Sequence, residues 1–461
     1  MNAILRHLRG ASIKTGCAAL VFLVLGTGNI SARDTGVMGA VQTHETAQKA
    51  LLDRDFELAT QIAHTLIKSN PNDVQALLIL ATVHTSRGQI EKALPYAKRA
   101  YRAETSATKV GRFTAATLAA RGLARDQKFE RAKLWMRRAI NSAPTDQLRA
   151  QRIQEFKRIR QLSPWSTRLS FAIEPSDNIN NGTEETTIIL YGLPFTLNDT
   201  EPLPGAEISF GIGSDYRIWQ NRTNLVQIGF NLFHREALIT DDKGTDLRGR
   251  DFRYTNIGVR LRRKRAIIEK SLEITDTIGV NAAWYSEVPY QHQASISRTY
   301  RKRINPTQNL DFTFGLSRSL HQSDSAKHTT TLSINTRYVR ALPGKGVFEI
   351  RPYLNDARSD SNAQDQYNFG ASLHYSPFKA VLNSKARLSL DLGTREFRQL
   401  GFTGVKRSDA YARAKAEFTL SGVSYFGFSP SIHLTATRTK SNVVLYDSTS
   451  FGAGIGLRSA F

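Results

Sequence analysis

Charged side chains recur at every second position along much of the C-terminal two-thirds of this 461-residue chain. Arg413, Lys415 and Glu417 alternate with Ala412, Ala414, Ala416 and Phe418, and Arg387, Asp391 and Arg395 alternate with Leu388, Leu390 and Leu392. A period of two sends the two sets to opposite faces of a β-strand. Arg217, Arg260, Arg262, Glu207, Glu349 and Arg351 occupy equivalent places in other segments, so all of these are candidates to line a hydrated lumen. Such rows bind and gate; they make no bonds. They could equally pair with one another and only keep a wall rigid.

Groupings that would do covalent chemistry are not seen. No HExxH occurs, and His292, His321, His328, His374 and His433 fall on or beside different segments, as surface or lumen polarity rather than metal ligands. No GxSxG elbow is present. Gly452-Ala453-Gly454-Ile455-Gly456 is glycine-rich but lies inside a strand pattern with no helix after it, so small residues facing a lumen explain it better than a phosphate cradle. The single cysteine, Cys17, excludes disulfide scaffolds and zinc-cysteine sites from the rest of the chain. No catalytic, metal or cofactor site is expected, and no enzyme.

The elements that position these rows begin at Ser166, where ten-residue segments of alternating polarity are separated by turn signals. Strands are expected at 166–173, 205–219, 222–236, 249–262, 271–286, 290–304, 307–319, 327–341, 345–356, 365–376, 383–395, 408–420, 424–438 and 449–461. Fourteen is even, as closure of an antiparallel barrel requires. Gln220-Asn221, Asn305-Pro306, Pro343-Gly344 and Gly422-Val423 read as tight turns on one side, and most opposite connections are longer and polar. The 263–270 connection and the short loop after Glu287 fit that asymmetry poorly. In the last segment Phe451, Ala453, Ile455, Leu457 and the terminal Phe461 share one face.

Before the strands, residues 45–162 are rich in Ala, Leu, Arg, Lys and Gln, which favours helix. Phe56, Ala59, Ile62 and Ala63 recur 34 residues on as Ile90, Ala93, Tyr96 and Ala97, and again as Phe129, Ala132, Trp135 and Met136. Thirty-four is the tetratricopeptide period. Pro71 and Pro144 stand where a second helix should stop, Gly88 marks a turn, and helix 145–162 would cap the stack. An ordinary helical bundle fits the same small-residue pattern. Ser163-Pro164-Trp165 ends the helical segment.

At the N-terminus, Arg6, Arg9 and Lys14 precede the apolar run 17–26, and Ser31-Ala32 follows: the layout of a secretory signal over residues 1–32. Ten apolar residues are about half of the roughly 20 that a spanning helix needs. The net charge of +23 divides as +3 over residues 1–32, +11 over 33–165 and +9 over 166–461, so the helical segment is the most basic. The export signal argues against nucleic acid; an excess of this kind is most often only a solvated face, though it can favour an acidic partner.

The order of parts resembles the surface lipoprotein assembly modulator family of Gram-negative bacteria, over nearly the whole chain after the signal. Its marks are Pro175-Ser176-Asp177-Asn178-Ile179-Asn180 after the first strand, Arg298-Thr299-Tyr300 in the sixth, and the segment 451–461. The resemblance implies an α+β multidomain chain: a periplasmic tetratricopeptide-like domain over 45–165 and a 14-stranded antiparallel outer-membrane barrel over 166–461. It implies an outer-membrane translocator of lipoprotein or soluble cargo, with the helical domain engaging cargo or its periplasmic chaperone. Phe461 would be read by the barrel assembly machinery. A tetratricopeptide-barrel exporter of polysaccharide has the same order of parts but usually more repeats and 16 strands; a porin would need no helical domain.

Overall fold

The computed structural model describes residues 35–103, 109–183, 187–190, 193–196, 201–401, 403–420, 422–423 and 425–459. The proposed signal and Phe461 lie outside the described residues. The chain forms two units, one helical and one of strands.

Among the described residues seven helices make the first unit: α1 (Thr35–Leu52), α2 (Phe56–Ser69), α3 (Val74–Ser86), α4 (Ile90–Ala103), α5 (Val110–Arg125), α6 (Phe129–Asn141) and α7 (Asp146–Leu162). α2, α4 and α6 begin at the three positions where the sequence repeats. α1 starts ten residues ahead of the segment marked by the repeat, where Gly36 and Gly39 weaken the helical pattern.

Local chemistry sets the ends of these helices. The Asp55 and Asp73 side chains accept from the backbone N–H groups of Leu58 and Ala76 at 3.0 and 2.9 Å, and Thr145 does the same for α7. α2 and α6 stop just before Pro71 and Pro144, and Gly88, with φ of 77°, makes the left-handed turn between α3 and α4. The repeated alanines Ala59, Ala63, Ala93, Ala97 and Ala132 are buried and bring neighbouring helices close. α3 and α5 are buried around most of their circumference, from Ala76 to Val83 and from Phe113 to Ala120. Helices covered on both sides are what stacked pairs require, because one pair alone leaves an apolar face in water.

The last helix closes this core with Phe156, Ile159 and a buried arginine, Arg152. Burial pushes the Arg152 pKa down, against the opposing pull of Glu155, whose carboxylate lies 3.1 Å away and also takes Arg121 at 2.6 Å. Leu148 and Ile153 pack against the same core, and the outward face of α7 is mostly polar and exposed, as a capping element must be.

Sixteen strands follow: β1 (Trp165–Ser176), β2 (Thr187–Leu190), β3 (Leu193–Thr196), β4 (Gly205–Gln220), β5 (Asn224–Ile239), β6 (Tyr254–Ile267), β7 (Leu272–Tyr285), β8 (Val288–Asn305), β9 (Gln308–His321), β10 (Thr329–Leu342), β11 (Gly346–Ser359), β12 (Gln366–Pro377), β13 (Lys385–Leu400), β14 (Lys406–Thr419), β15 (Phe428–Ser441) and β16 (Ser448–Ser459). β2 and β3 form a separate hairpin. The other fourteen close an antiparallel barrel in which β1 lies between β4 and β16. Each expected strand has its counterpart, including the fifth.

β1 begins and β16 ends at one rim, here called the near rim. Connections 221–223, 268–271, 306–307 and 343–345 at that rim are short, and 177–204 and 240–253 at the far rim are long. β6 runs from Tyr254 to Ile267 rather than over 249–262, because Gly249–Phe252 is a 3-10 turn; the awkward 263–270 connection thereby shrinks to a tight turn. Ser286 and Glu287, both left-handed at φ 49° and 66°, make a two-residue hairpin at the far rim, against the general asymmetry. The Gly422-Val423 turn is not tight: the connection runs over 420–427, with Phe426 and Gly427 left-handed, and β15 begins at Phe428.

The seam that closes the barrel is built differently from the other thirteen. β1 pairs with β4 from Trp165 to Ser176, but among the described residues with β16 only from Phe171 to Ser176. Side chains of the Pro175 to Asn180 motif extend it at the far rim. The Phe451 N–H donates to Asp177 Oδ1 at 3.0 Å, and Asn178 Nδ2 donates to the Thr449 carbonyl at 3.2 Å and to the Gly182 carbonyl at 2.9 Å. Asn180 accepts from the Leu203 N–H at 3.0 Å, tying the same loop to the start of β4. The motif is a clasp.

Replacing Asn178 by Ala is expected to cost about 1–3 kcal/mol, the penalty of unsatisfied buried groups, read as a lower temperature for the folded-to-unfolded shift in gel mobility. A cysteine pair at Ile173 and Ile455, directly opposed across the seam, is expected to form a disulfide and restore that temperature. No cross-link in the oxidised double variant would contradict this register. In the helical unit, burial raises the Asp73 pKa, but His44 at 2.7 Å and the N–H of Ala76 outweigh it and hold the carboxyl below the usual carboxylate range. A depressed pKa makes a contribution present above about pH 4 and lost as pH falls further. Helical circular dichroism is therefore expected to melt earlier on acidification, and Asp73→Ala, which also removes the cap, to lower stability at neutral pH by about 1–2 kcal/mol.

Candidate functional site

Alternation divides every barrel strand into two rows. One row is apolar and exposed or half-exposed: Ile228, Phe230 and Leu232 on β5, Phe312, Phe314 and Leu316 on β9, Leu388, Leu390 and Leu392 on β13, and Phe451, Ala453, Ile455 and Leu457 on β16. Leu332, Phe369 and Phe451 keep 51, 49 and 61% of their surface accessible, far more than a core residue would. Trp165 packs on Tyr216 at 4.8 Å, with Tyr338 and Tyr375 also toward the near rim, and Trp284 and Tyr367 stand toward the far rim. Strands of 12 to 18 residues exceed the roughly 9–11 that a tilted strand needs to cross a bilayer. A closed barrel satisfies its backbone without water, and an apolar exterior between aromatic girdles then has hydrocarbon as its natural surroundings. The barrel spans a membrane.

The opposite row is polar, and its charges form clusters that cross several strands. Asp215 on β4 is buried and accepts from Arg260 on β6 at 2.8 Å, with Arg168 on β1 at 3.8 Å and Arg262 at 4.0 Å. The pair reaches across β5 because Gly229 lies between: a Cβ there would stand 2.5 Å from Asp215 Oδ1 and 2.7 Å from Arg260 Nε.

A larger network occupies β7 to β11. Arg301 holds Asp311 by two hydrogen bonds of 2.9 and 2.8 Å, and Arg337 reaches the same carboxylate at 3.3 Å. Arg337 also grips Glu349 through two bonds of 3.0 and 2.8 Å, and Arg351 contacts Glu349 from the other side. Glu273 on β7 also takes Arg301 at 3.5 Å, so three carboxylates hold three guanidinium groups. The inner wall here is rigid and nearly neutralised.

Toward the far rim Asp409, fully buried, accepts from Arg407 at 2.8 and 2.6 Å, with Arg395 at 3.8 Å and stacked over the Tyr411 ring. Toward the near rim Glu417 takes Arg458 by two bonds of 2.9 and 2.7 Å. Beside it, His433 on β15 meets Glu174 on β1, and Gly454 provides the space: a Cβ there would clash with both side chains. The glycine-rich run in the last strand therefore has a packing reason on the inner face.

The residues singled out by spacing are placed as follows. Arg260 and Arg262 meet at Asp215, Glu349 and Arg351 meet at Arg337, Arg395 joins Asp409, and Glu417 joins Arg458. Arg217 donates to Gln220 at 2.7 Å, Glu207 takes Arg235 at 3.2 Å, and Asp391 accepts from Ser372. Arg387, Arg413 and Lys415 make no ion pair or hydrogen bond among the described residues. They lie on adjacent strands, with Arg387 opposite Glu417 and Arg413 opposite Asp391, so that wall carries a local positive excess. The candidate set lacked Arg301, Asp311, Arg337, Arg407 and Asp409, and also Asp215, which alternation puts on the polar row without marking it; these are the centres of the clusters. The signal that could have found them is cross-strand register rather than the period. Among the described residues no group of three or more His, Cys, Asp or Glu is placed to hold a metal ion.

No family model matches the sequence, and no curated protein does. Solved structures with a similar fold include OmpT of Vibrio cholerae lacking loop L8, an outer membrane protein, at TM-score 0.32 and 10% identity over 64% of this chain and 99% of that one. A bacterial polysaccharide outer membrane secretin aligns at TM-score 0.33 and 9% identity, over 63% and 98%. OprB of Pseudomonas putida aligns at TM-score 0.38 and 8% identity, over 68% and 96%. Likeness of this size carries no argument about function, which rests on the chain's own residues.

Glu349→Gln is expected to destabilise the barrel by about 1–3 kcal/mol, because it leaves two arginines facing each other. A fully buried pair would lose about 3–5 kcal/mol, but Arg337 and Arg351 are 35 and 44% exposed and screened by water. Arg387→Gln, which breaks nothing, should stay within about 0.5 kcal/mol. The temperature of the gel-mobility shift reads both, and equal effects would contradict the network.

Proposed function

We propose that this chain is a translocator of the bacterial outer membrane that promotes surface display or secretion of specific lipoprotein or soluble proteins. The observation that carries the reading is a pairing of parts: a stacked, basic helical unit without catalytic groupings, joined in one chain to a closed, membrane-spanning barrel. A pore for small solutes has no need of seven helices. A tetratricopeptide-like stack presents an extended surface for docking, and the +11 carried by residues 33–165 favours an acidic cargo or chaperone segment.

The helical unit would work in the periplasm, reached by cleavage of the signal over residues 1–32. In the barrel, Arg217, Arg260, Arg262, Glu349, Arg351, Arg387, Asp391, Arg395, Arg413, Lys415 and Glu417 would line the path. The paired members stiffen its wall. Arg387, Arg413 and Lys415, with no partner of their own, are the ones free to hold a passing acidic segment. No nucleotide-binding motif is present in the sequence, so directionality would come from cargo binding on one side and folding on the other. A folded cargo cannot slide back. Phe461 would serve insertion, by way of the barrel assembly machinery.

Deleting residues 45–162 is expected to abolish cargo display while the barrel remains heat-modifiable on gels. The readout is protease accessibility, on intact cells, of secreted proteins encoded beside this one, with extracellular polysaccharide measured in parallel. Unchanged display in the deletion would remove the docking role. Lost polysaccharide with unchanged protein display would move the chain to the exporter class.

A further inference from the structure

Part of the inner wall carries neutral polar side chains instead of charges. Near the far rim, strands β8 to β12 surround a half-enclosed cavity of about 240 Å3 on the polar face of the barrel. Its lining includes Tyr290, Gln291, Thr331, Asn355, Gln364 and Gln366. The one formal charge at its edge, Lys327, is paired with Asp324 at 3.4 Å. The amides of Gln291, Asn355, Gln364 and Gln366 and the Thr331 hydroxyl make no hydrogen bond to other described residues. Gln366 Oε1 is moreover buried and left without a donor, a costly state for a carbonyl oxygen.

These features restrict the ligand. An anion or cation would find no free counter-charge, and an apolar molecule would strand four amides. What remains is a neutral molecule rich in hydrogen-bonding groups. Carboxamides offer a donor and an acceptor side by side, which suits adjacent hydroxyl groups that both give and accept. Tyr290, fixed by edge contact with His321 at 4.9 Å, adds an aromatic body on which the C–H face of a sugar ring can rest. A peptide in extended form would seek a strand edge, and a closed barrel has none. The volume is below the roughly 300–1,000 Å3 of larger ligand sites, so it holds one ring and not a chain.

We propose that this cavity is a binding site for a neutral saccharide unit, held by Gln291, Asn355, Gln364 and Gln366 against Tyr290. The site stands apart from the translocator reading: it is a single pocket at one rim, not a track of sugar sites through the barrel, and it is tested without any cargo.

The experiment is saturation-transfer NMR on the purified full chain in a sugar-free detergent. The probes are methyl β-glucopyranoside and its 2-acetamido analogue, with glucuronate and a blocked triglycine as controls. Ring protons of at least one neutral glycoside are expected to receive saturation, with a dissociation constant that rises about tenfold in Gln366→Ala, about 1.4 kcal/mol. Gln364→Ala changes a loop residue outside the ladder and should weaken binding similarly without altering the barrel. Tyr290→Phe should bind as the parent does and Tyr290→Ala more weakly. Absence of transfer from both glycosides, equal transfer from glucuronate or the peptide, or binding unchanged in both glutamine variants with intact heat-modifiability would overturn the proposal.

Discussion

Inside hydrocarbon no water is at hand to satisfy a strand edge, so the barrel exists only if its first and last strands meet. In this chain that closure is the shortest stretch of barrel ladder among the described residues. Among the described residues β1 and β16 are paired over Phe171 to Ser176, with one longer backbone bond from the Asp177 N–H to the Phe451 carbonyl at 3.5 Å, and Pro175, lacking an N–H, cannot contribute a donor there. The clasp made by Asp177 and Asn178 carries the seam onward with side chains where backbone pairing thins to a single 3.5 Å bond. A loop that would otherwise be only a connection thus becomes part of the wall, which gives a physical reason for an Asp and an Asn at those places.

Closure in turn fixes what each face must be. The exterior becomes apolar because lipid tails offer nothing to a polar group, and the polar half of every strand is forced inward. Charges crowded there repel unless they alternate in sign around the barrel. The observed clusters meet that need across strands rather than along them: Asp215 with arginines from β1 and β6, and Asp311 and Glu349 with arginines from β8, β10 and β11. Each spans two or more hydrogen-bonded neighbours, so the inner network braces the same ladder that the closure completes. Glycines at 229 and 454 are the complement of this bracing, since a side chain at either would occupy the space where two partners meet.

Much of this was legible in the sequence. A period of two over some 300 residues gave the strand count and the two faces, because both are consequences of pleat geometry. The helical repeat placed the starts of α2, α4 and α6, since alanines at fixed offsets are dictated by close helix packing. Alternation could not say which charges pair. Pairing depends on register, and register is set by turn lengths such as 268–271 and by bulges such as the one between Arg217 and Trp219, neither of which has a strong local signature. The expectation for 249–262 failed for that reason: Gly249–Phe252 winds into a single turn, and the strand starts five residues later. The turn at Gly422-Val423 failed because glycine signals a reversal but not its length.

A polar interior can be kept stable in two ways, and the wall uses both. Pairing opposite charges, as at Glu349, stiffens the wall but leaves little with which to bind a neutral guest. Lining it with neutral amides, as around Gln366, avoids repulsion without using up the hydrogen-bonding groups, so these stay available. The β13–β14 wall takes neither course: Arg387, Arg413 and Lys415 remain as charges without partners. Their field is reduced by lumen water and only partly offset by Glu417 and Asp391 on the facing strands, and it acts on whatever enters. The three regions would therefore respond differently to salt. Attraction to the unpaired cations weakens as ionic strength rises, whereas hydrogen bonding in the neutral cavity does not, because no ion competes for an amide as it does for a charge.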